Sequence, residues 1–156
     1  QTVAESVERN ELPLMGQGAL ARQARMAELN KYLMVYAMRV AVETYGPELS
    51  EHQEVLGALA DIAIEAYALD SVVARTMQLK KPDPVADACV QLYAIESHDR
   101  AYDRAKRAIH ATVADASASS AHVANLRKMY DEGPWTPTVY REVIMTRVLE
   151  RDGALF

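Results

Sequence analysis

The sequence predicts an all-α protein, an antiparallel helical bundle of four principal helices plus a shorter extra helix. Apolar residues recur at steps of four and three residues over Val55–Val73, which is the spacing of one helix face. No segment alternates apolar and polar residues over a useful length, as a half-buried strand would. Short connections rich in Gly and Pro separate the helical stretches, and such connections favour antiparallel neighbours.

The first 17 residues are polar and are interrupted by Pro13, Gly16 and Gly18. They are predicted to be a linker or N-terminal arm, with a single helical bundle domain over residues 18–156. Because Gln1 stands where an initiator Met is expected, we expect the chain to be an excised fragment or a processed product.

The first long helix is predicted from about Ala19 to Tyr45, where the Gly46-Pro47 pair ends it. Its expected inner face is formed by Leu29, Leu33, Tyr36, Val40 and Thr44.

The second helix is predicted to begin at Ser50, which forms a capping box with Gln53, and to run to about Lys80. Its inner face consists of Val55, Leu59, Ile62, Ala66, Leu69 and Val73. A second apolar stripe, formed by Ala60, Ile64 and Tyr67, lies on the far side of the same helix. A helix that is apolar on two sides has to be covered on two sides, so we expect the bundle to dock onto another surface.

The third helix is predicted to start with Asp83 as N-cap and Pro84 at the first helical position, and to end near Ala114. Its expected apolar face is formed by Ala88, Leu92, Ile95, Tyr102 and Ile109. A break over residues 115–120 precedes a shorter helix that contains Val123, Leu126, Met129 and Tyr130. The last helix is predicted to start at Thr136-Pro137 and to end at Gly153, with Val139, Val143 and Leu149 facing inward.

Composition excludes several classes of function. The 156 residues suffice for one domain, and the net charge of −5 without a basic patch argues against a nucleic-acid partner. The longest apolar run, Tyr32–Met38, is far shorter than the roughly 20 residues of a transmembrane helix. The single cysteine, Cys89, suits a reducing compartment. We therefore expect an intracellular protein, cytoplasmic in a bacterium or mitochondrial in a eukaryote.

The polar residues do not form a recognisable catalytic or metal-binding motif. Three of the four histidines are spaced by twelve residues, about 120° apart on a helix, so they cannot share one face. Asp61 and Glu65 form an i, i+4 pair, which is interpreted as bonding to cations on neighbouring helices rather than as an acid–base pair. Arg75 lies about 21 Å along the helix from Asp61, so it is expected to bind another helix or chain.

Two segments resemble a known family. The central helix reads LADIAIEAYAL over residues 59–69 and is followed by Arg75. The last helix opens with Pro134-Trp135 and Tyr140-Arg141 and closes with VLERDG over residues 148–153. Together they resemble the C-terminal extension of the very-long-chain acyl-CoA dehydrogenases.

The resemblance implies a non-catalytic helical bundle that follows a flavin-binding catalytic core. In that family the catalytic glutamate and most contacts to FAD and acyl-CoA belong to the core, so this chain is expected to hold no cofactor, while its parent enzyme would hold FAD. The expected partner is the core, with possible effects on dimer geometry or peripheral membrane contact. The docking or structural residues predicted are Asp61, Ile64, Glu65, Tyr67, Arg75, Trp135 and Tyr140.

Two alternatives remain open at this point. In the first alternative, the chain is a free-standing helical module for protein interaction or homodimerisation. A bundle with its own hydrolytic or metal site would require Asp61 and Glu65 to converge with a histidine in a cleft.

Overall fold

The computed structural model describes residues 3–9, 11–14, 16–151 and 153. Within these residues all regular structure is helical, which confirms the predicted all-α class. The α-helices are α1 (Val3–Glu8), α2 (Ala21–Tyr45), α3 (Gln53–Met77), α4 (Pro84–Thr112), α5 (Ala116–Lys128) and α6 (Pro137–Glu150). None of these described helices is long and apolar enough to span a membrane.

The three long helices α2, α3 and α4 pack against one another and form the centre of the bundle. They run alternately up and down: Glu65 of α3 pairs with Arg100 of α4, and Asp61, one turn earlier in α3, pairs with Arg104, one turn later in α4. Helix α6 packs on α4, whereas α5 lies against both α4 and α1.

The predicted inner face of α3 is confirmed. Its side chains are at most 5% exposed. Val55, Leu59 and Ile62 belong to one hydrophobic cluster, and Leu69 and Val73 belong to a second cluster toward the other end of the bundle. Burial of a large aliphatic side chain contributes about 1.5 to 3 kcal/mol before the conformational entropy of the chain is subtracted.

The start of α3 differs from the prediction. A 3-10 helix, Gly46–Glu51, follows α2 directly, and α3 begins only at Gln53. The side chain of Ser50 does not cap α3; instead, Gln53 Nε2 donates a hydrogen bond to the backbone carbonyl of Ser50. The proline after Gly46 starts the tighter helix, so the predicted capping box is wrong.

Helix α4 begins as predicted, because the Asp83 carboxylate accepts a hydrogen bond from the backbone N–H of Val85. Of its predicted apolar face, Ala88 and Ile109 are buried as expected, at 4% and 0% exposed. Leu92, Ile95 and Tyr102 are only half-buried. The centre of the face is instead occupied by small residues, at most 1% exposed: Ala94, Ala101, Ala105 and Ala108. Small side chains fit here because α4 is packed between α2 and α3.

The predicted inner face of α6 is wrong at Val139 and Leu149, whereas Val143 is half-buried on the inward side. Val139 and Leu149 are 52% and 72% exposed, and no described residue of α6 is fully buried. The side turned toward the bundle instead carries half-buried side chains at helical spacing: Tyr140, Val143, Ile144, Arg147 and Val148. Ion-pair contacts of Arg141 with Glu96 and of Arg147 with Asp83 accompany this orientation. Thr44, expected on the inner face of α2, is also exposed.

The N-terminal segment contains structure that the sequence does not predict. Residues Val3–Glu8 form α1, and Val7 is fully buried in the same hydrophobic cluster as Leu126 and Met129. Lys128 Nζ also donates to the backbone carbonyl of Val7, at 3.4 Å. The predicted arm thus contains a helix that the sequence analysis does not anticipate, and the division into an arm and a domain at residue 18 stays a prediction.

Candidate docking surface

The outer side of α3 presents an exposed and uncharged strip of surface. We define the outer stripe as Ala60, Ile64, Tyr67, Ser71 and Ala74, which follow one another at steps of four, three, four and three residues. All five residues are exposed, and the side chains of Ile64 and Tyr67 are 63% and 77% exposed. The stripe lies opposite the buried face of α3, so the bundle itself leaves it uncovered.

Acidic residues border the outer stripe, and each is paired with a cation of a neighbouring helix. Asp61 contacts Arg104 Nε at 3.1 Å, and both oxygens of Glu65 accept hydrogen bonds from Arg100, at 2.6 and 3.0 Å. On the opposite border, Asp70 accepts from Lys31 Nζ at 3.1 Å. These carboxylates attach α3 to α4 and α2.

The pairing of Glu65 decides between the two interpretations of the carboxylate pair. Partial burial on its own raises the pKa of Glu65, but the hydrogen bonds and charge of Arg100 outweigh burial and hold the pKa below its ordinary value. Glu65 is therefore ionised at neutral pH and is unsuited to act as a general acid. Among the described residues, no group of three His, Cys, Asp or Glu side chains is arranged to hold a metal ion.

Arg75 lies at the C-terminal end of the outer stripe. It is exposed, in the last turn of α3, and no described residue forms an ion pair with it. By contrast, arginines on α4 that face α3, namely Arg100 and Arg104, are both paired with its carboxylates.

Trp135 and Tyr140, the two aromatic residues predicted for docking near α6, lie away from the outer stripe. The guanidinium of Arg22 stacks over the Trp135 ring, 4.0 Å from its centroid, and Trp135 packs against the hydrophobic cluster near the start of α2. Tyr140 is half-buried on the inward side of α6. Trp135 therefore contributes to attachment of the segment before α6, and a docking role for either residue stays a prediction.

Sequence reasoning missed a buried polar network around His98. This side chain is 1% exposed, and its Nε2 accepts a hydrogen bond from the backbone N–H of Asp131 at 3.0 Å. Its Nδ1 lies 2.6 Å from Asn30 Oδ1, so the hydrogen-bond pattern assigns the proton to Nδ1. Asn30 Nδ2 in turn donates to Ser97 Oγ at 3.5 Å. The network joins α2, α4 and the segment that follows α5.

Burial keeps His98 neutral. Desolvation lowers the pKa of His98 from 6.5 to about 4, although the nearby charges of Asp131 and Asp99 favour protonation. The Asp131 carboxylate is itself held by a hydrogen bond from Arg22 at 2.6 Å and by Arg25 at 3.5 Å. Because a closed network holds His98 within the core, the structure assigns it to stability, not to catalysis.

The described residues thus form an all-α bundle with an exposed, uncharged strip along α3. Comparison with known proteins then identifies the family. The model of the acyl-CoA dehydrogenase C-terminal domain matches residues 28–128, so the chain belongs to this family.

One relative and one solved structure are similar to the chain. A probable acyl-CoA dehydrogenase from Bacillus subtilis (strain 168) is 31% identical over 77 residues, covering 47% of this chain and 13% of the relative. The crystal structure of an acyl-CoA dehydrogenase complexed with FAD from Bacillus anthracis has the same fold. The two structures superpose with a TM-score of 0.84 at 22% sequence identity. The matched region covers 96% of this chain and 26% of that chain. The chain thus spans about a quarter or less of the length of these two proteins.

Proposed function

We propose that this chain is the non-catalytic C-terminal bundle of an FAD-dependent acyl-CoA dehydrogenase and that its outer stripe packs against the catalytic core. The exposed, uncharged stripe on α3 carries the proposal. Single exposed apolar side chains are common on protein surfaces, but Ile64 and Tyr67 are large, adjacent on one helix face and bordered by paired charges. In this arrangement the core supplies FAD binding and chemistry, and the bundle supplies a rigid helical face.

The first expected result concerns the cofactor. We expect the chain, produced alone, to be colourless and inactive toward acyl-CoA, because the proposal places the flavin site in the core. An absorption spectrum of the purified chain near 450 nm checks this. Stoichiometric flavin in that preparation would contradict the proposal.

The second expected result concerns docking. In the full-length parent protein, a protease site placed immediately before Val3 allows the bundle to be cut from the core. We expect the two pieces of the wild-type protein to stay together on size-exclusion chromatography after the cut. Ile64→Asp should release the bundle, because the new carboxylate would be buried without a partner at the contact. Tyr67→Glu provides a second test on the same stripe.

The matched control is Val42→Asp, which places the same charge at an exposed apolar position on α2. It should leave the pieces associated, and circular dichroism should show folded bundles for all variants. Separation of the wild-type pieces would contradict core packing, as would retention of both stripe variants.

The alternative function is a free-standing interaction or dimerisation module that uses the same stripe. It predicts that the chain alone forms dimers that Ile64→Asp dissociates, whereas core packing predicts no such specific dimer. Light scattering of the isolated chain distinguishes them. Effects on dimer geometry of the parent enzyme or on membrane association stay predictions of the family resemblance.

A further inference from the structure

The outer side of α3 carries one charged residue at one end. Projected at about 100° per residue, the side chains on this side are uncharged from Ile64 to Ala74, and Arg75 follows; the nearest acid before Ile64 is Asp61, which is paired with Arg104. Arg75 is rotated by only about 20° from Ile64 and lies about 16 Å farther along the axis. A surface that covers Ile64 and Tyr67 along the length of the helix therefore also reaches Arg75.

Within the described part of the bundle, no acidic side chain forms an ion pair with Arg75. The three acidic residues that border the outer stripe are already paired, Asp61 with Arg104, Glu65 with Arg100 and Asp70 with Lys31. Asp61 is in any case about 21 Å from Arg75 on the same helix. A guanidinium at the edge of an apolar contact loses water when the contact forms, and this costs free energy unless a partner replaces the water.

We infer that the surface covering the outer stripe bears an Asp or Glu carboxylate opposite Arg75. This inference rests on the proposed packing against the catalytic core and names the chemistry of the matching patch: an apolar strip that ends in one carboxylate. A carboxylate fits the guanidinium because two parallel N–H···O hydrogen bonds form between them.

The position of Arg75 also makes docking directional. An apolar strip alone fits its partner almost equally well in two opposite orientations along the helix. With one charge at one end, the reversed orientation leaves both the guanidinium and the carboxylate without partners, so it is disfavoured. Ile64 and Tyr67 thus supply the contact area, and Arg75 selects the orientation.

The test uses the same full-length protein, cut before Val3, with the dissociation constant of the two pieces measured at low and high salt. We expect Arg75→Glu to weaken association by at least about tenfold at low salt, because like charges then face each other. Arg75→Lys should keep part of the affinity, since it keeps the charge but not the paired geometry. High salt should reduce the difference between Arg75→Glu and the wild type.

The control is Arg107→Glu, which makes the same charge change at an exposed position on α4. It should leave the dissociation constant unchanged. A role of Arg75 confined to the carbonyl groups at the end of α3 would change the melting temperature of the bundle without this salt-dependent loss of affinity. A single Asp or Glu to Lys replacement in the core should restore binding of Arg75→Glu and identify the partner.

The outcomes separate the two proposals. If Ile64→Asp releases the bundle but Arg75→Glu binds as the wild type does, the carboxylate is overturned and core packing stands. If the wild-type pieces do not associate, both proposals fail. If Arg75→Glu weakens binding but no Asp or Glu to Lys replacement in the core restores it, the assignment of a carboxylate is overturned.

Discussion

Ile62→Asp is expected to unfold the bundle, whereas Ile64→Asp is expected to leave it folded. Ile62 is fully buried between the long helices, and Ile64, two positions away on the same helix, is 63% exposed. A buried carboxylate without a partner costs at least about 4 kcal/mol, a large part of the 5 to 15 kcal/mol that typically stabilises a domain. The exposed substitution should change stability by about 0.5 kcal/mol or less.

Urea denaturation of the two variants, followed by circular dichroism, checks this pair. Both place the same residue type on the same helix, so helix propensity and net charge are matched. The prediction is contradicted if the two variants lose similar amounts of stability. Equal and large losses would make Ile64 an ordinary core residue and remove the basis of the outer stripe.

Acidification is expected to destabilise the bundle through His98. In the folded chain burial lowers the pKa of His98 to about 4, whereas an unfolded chain titrates near 6.5. Below pH 6.5 the unfolded state binds a proton that the folded state does not, so stability is complete above 6.5 and is lost as the pH falls toward 4. At about 1.4 kcal/mol per pH unit, the loss amounts to about 3 kcal/mol.

Comparison with His98→Gln isolates this contribution, because glutamine keeps a donor and an acceptor but does not titrate. The stability difference between wild type and variant should shrink by about 3 kcal/mol between pH 7.5 and pH 4 in urea denaturation series. Carboxylates also titrate at low pH, but those that are remote from residue 98 are common to both proteins and cancel. Parallel curves for wild type and His98→Gln would contradict the prediction.

The inner face of α3 is readable from the sequence because the whole pattern is local. Six apolar residues at helical spacing extend from Val55 to Val73, whereas the apolar stripe predicted on the far side has three, so the longer stripe is predicted to be the inner face. Helix α6 lacks such a constraint. Its two sides are similarly apolar, so periodicity predicts a helix but does not decide which side faces α4. The ion pairs of Arg141 and Arg147 with α4, which accompany its orientation, join residues far apart in the sequence.

The network around His98 has no local signal at all. Its partners are Asn30, 68 positions away in the sequence, and the backbone of Asp131, 33 positions away. Only the tertiary packing of α2 and α4 brings these groups together. The spacing of the histidines in the sequence therefore does not predict the network. The carboxylates of α3 are different, because their place beside a buried stripe indicates pairing with neighbouring helices even though their partners cannot be named.

The burial of Val7 determines how the bundle is tethered to any polypeptide attached before it. An extended segment of seventeen residues would have a reach of about 60 Å and would let the bundle swing widely about its neighbour. Because Val7 of α1 is buried in the hydrophobic core, the residues between Val7 and α2 are held at both ends and cannot extend in this way. Any polypeptide attached before α1 is therefore anchored to the bundle at α1, which contacts α2 and α5, and not at the start of α2.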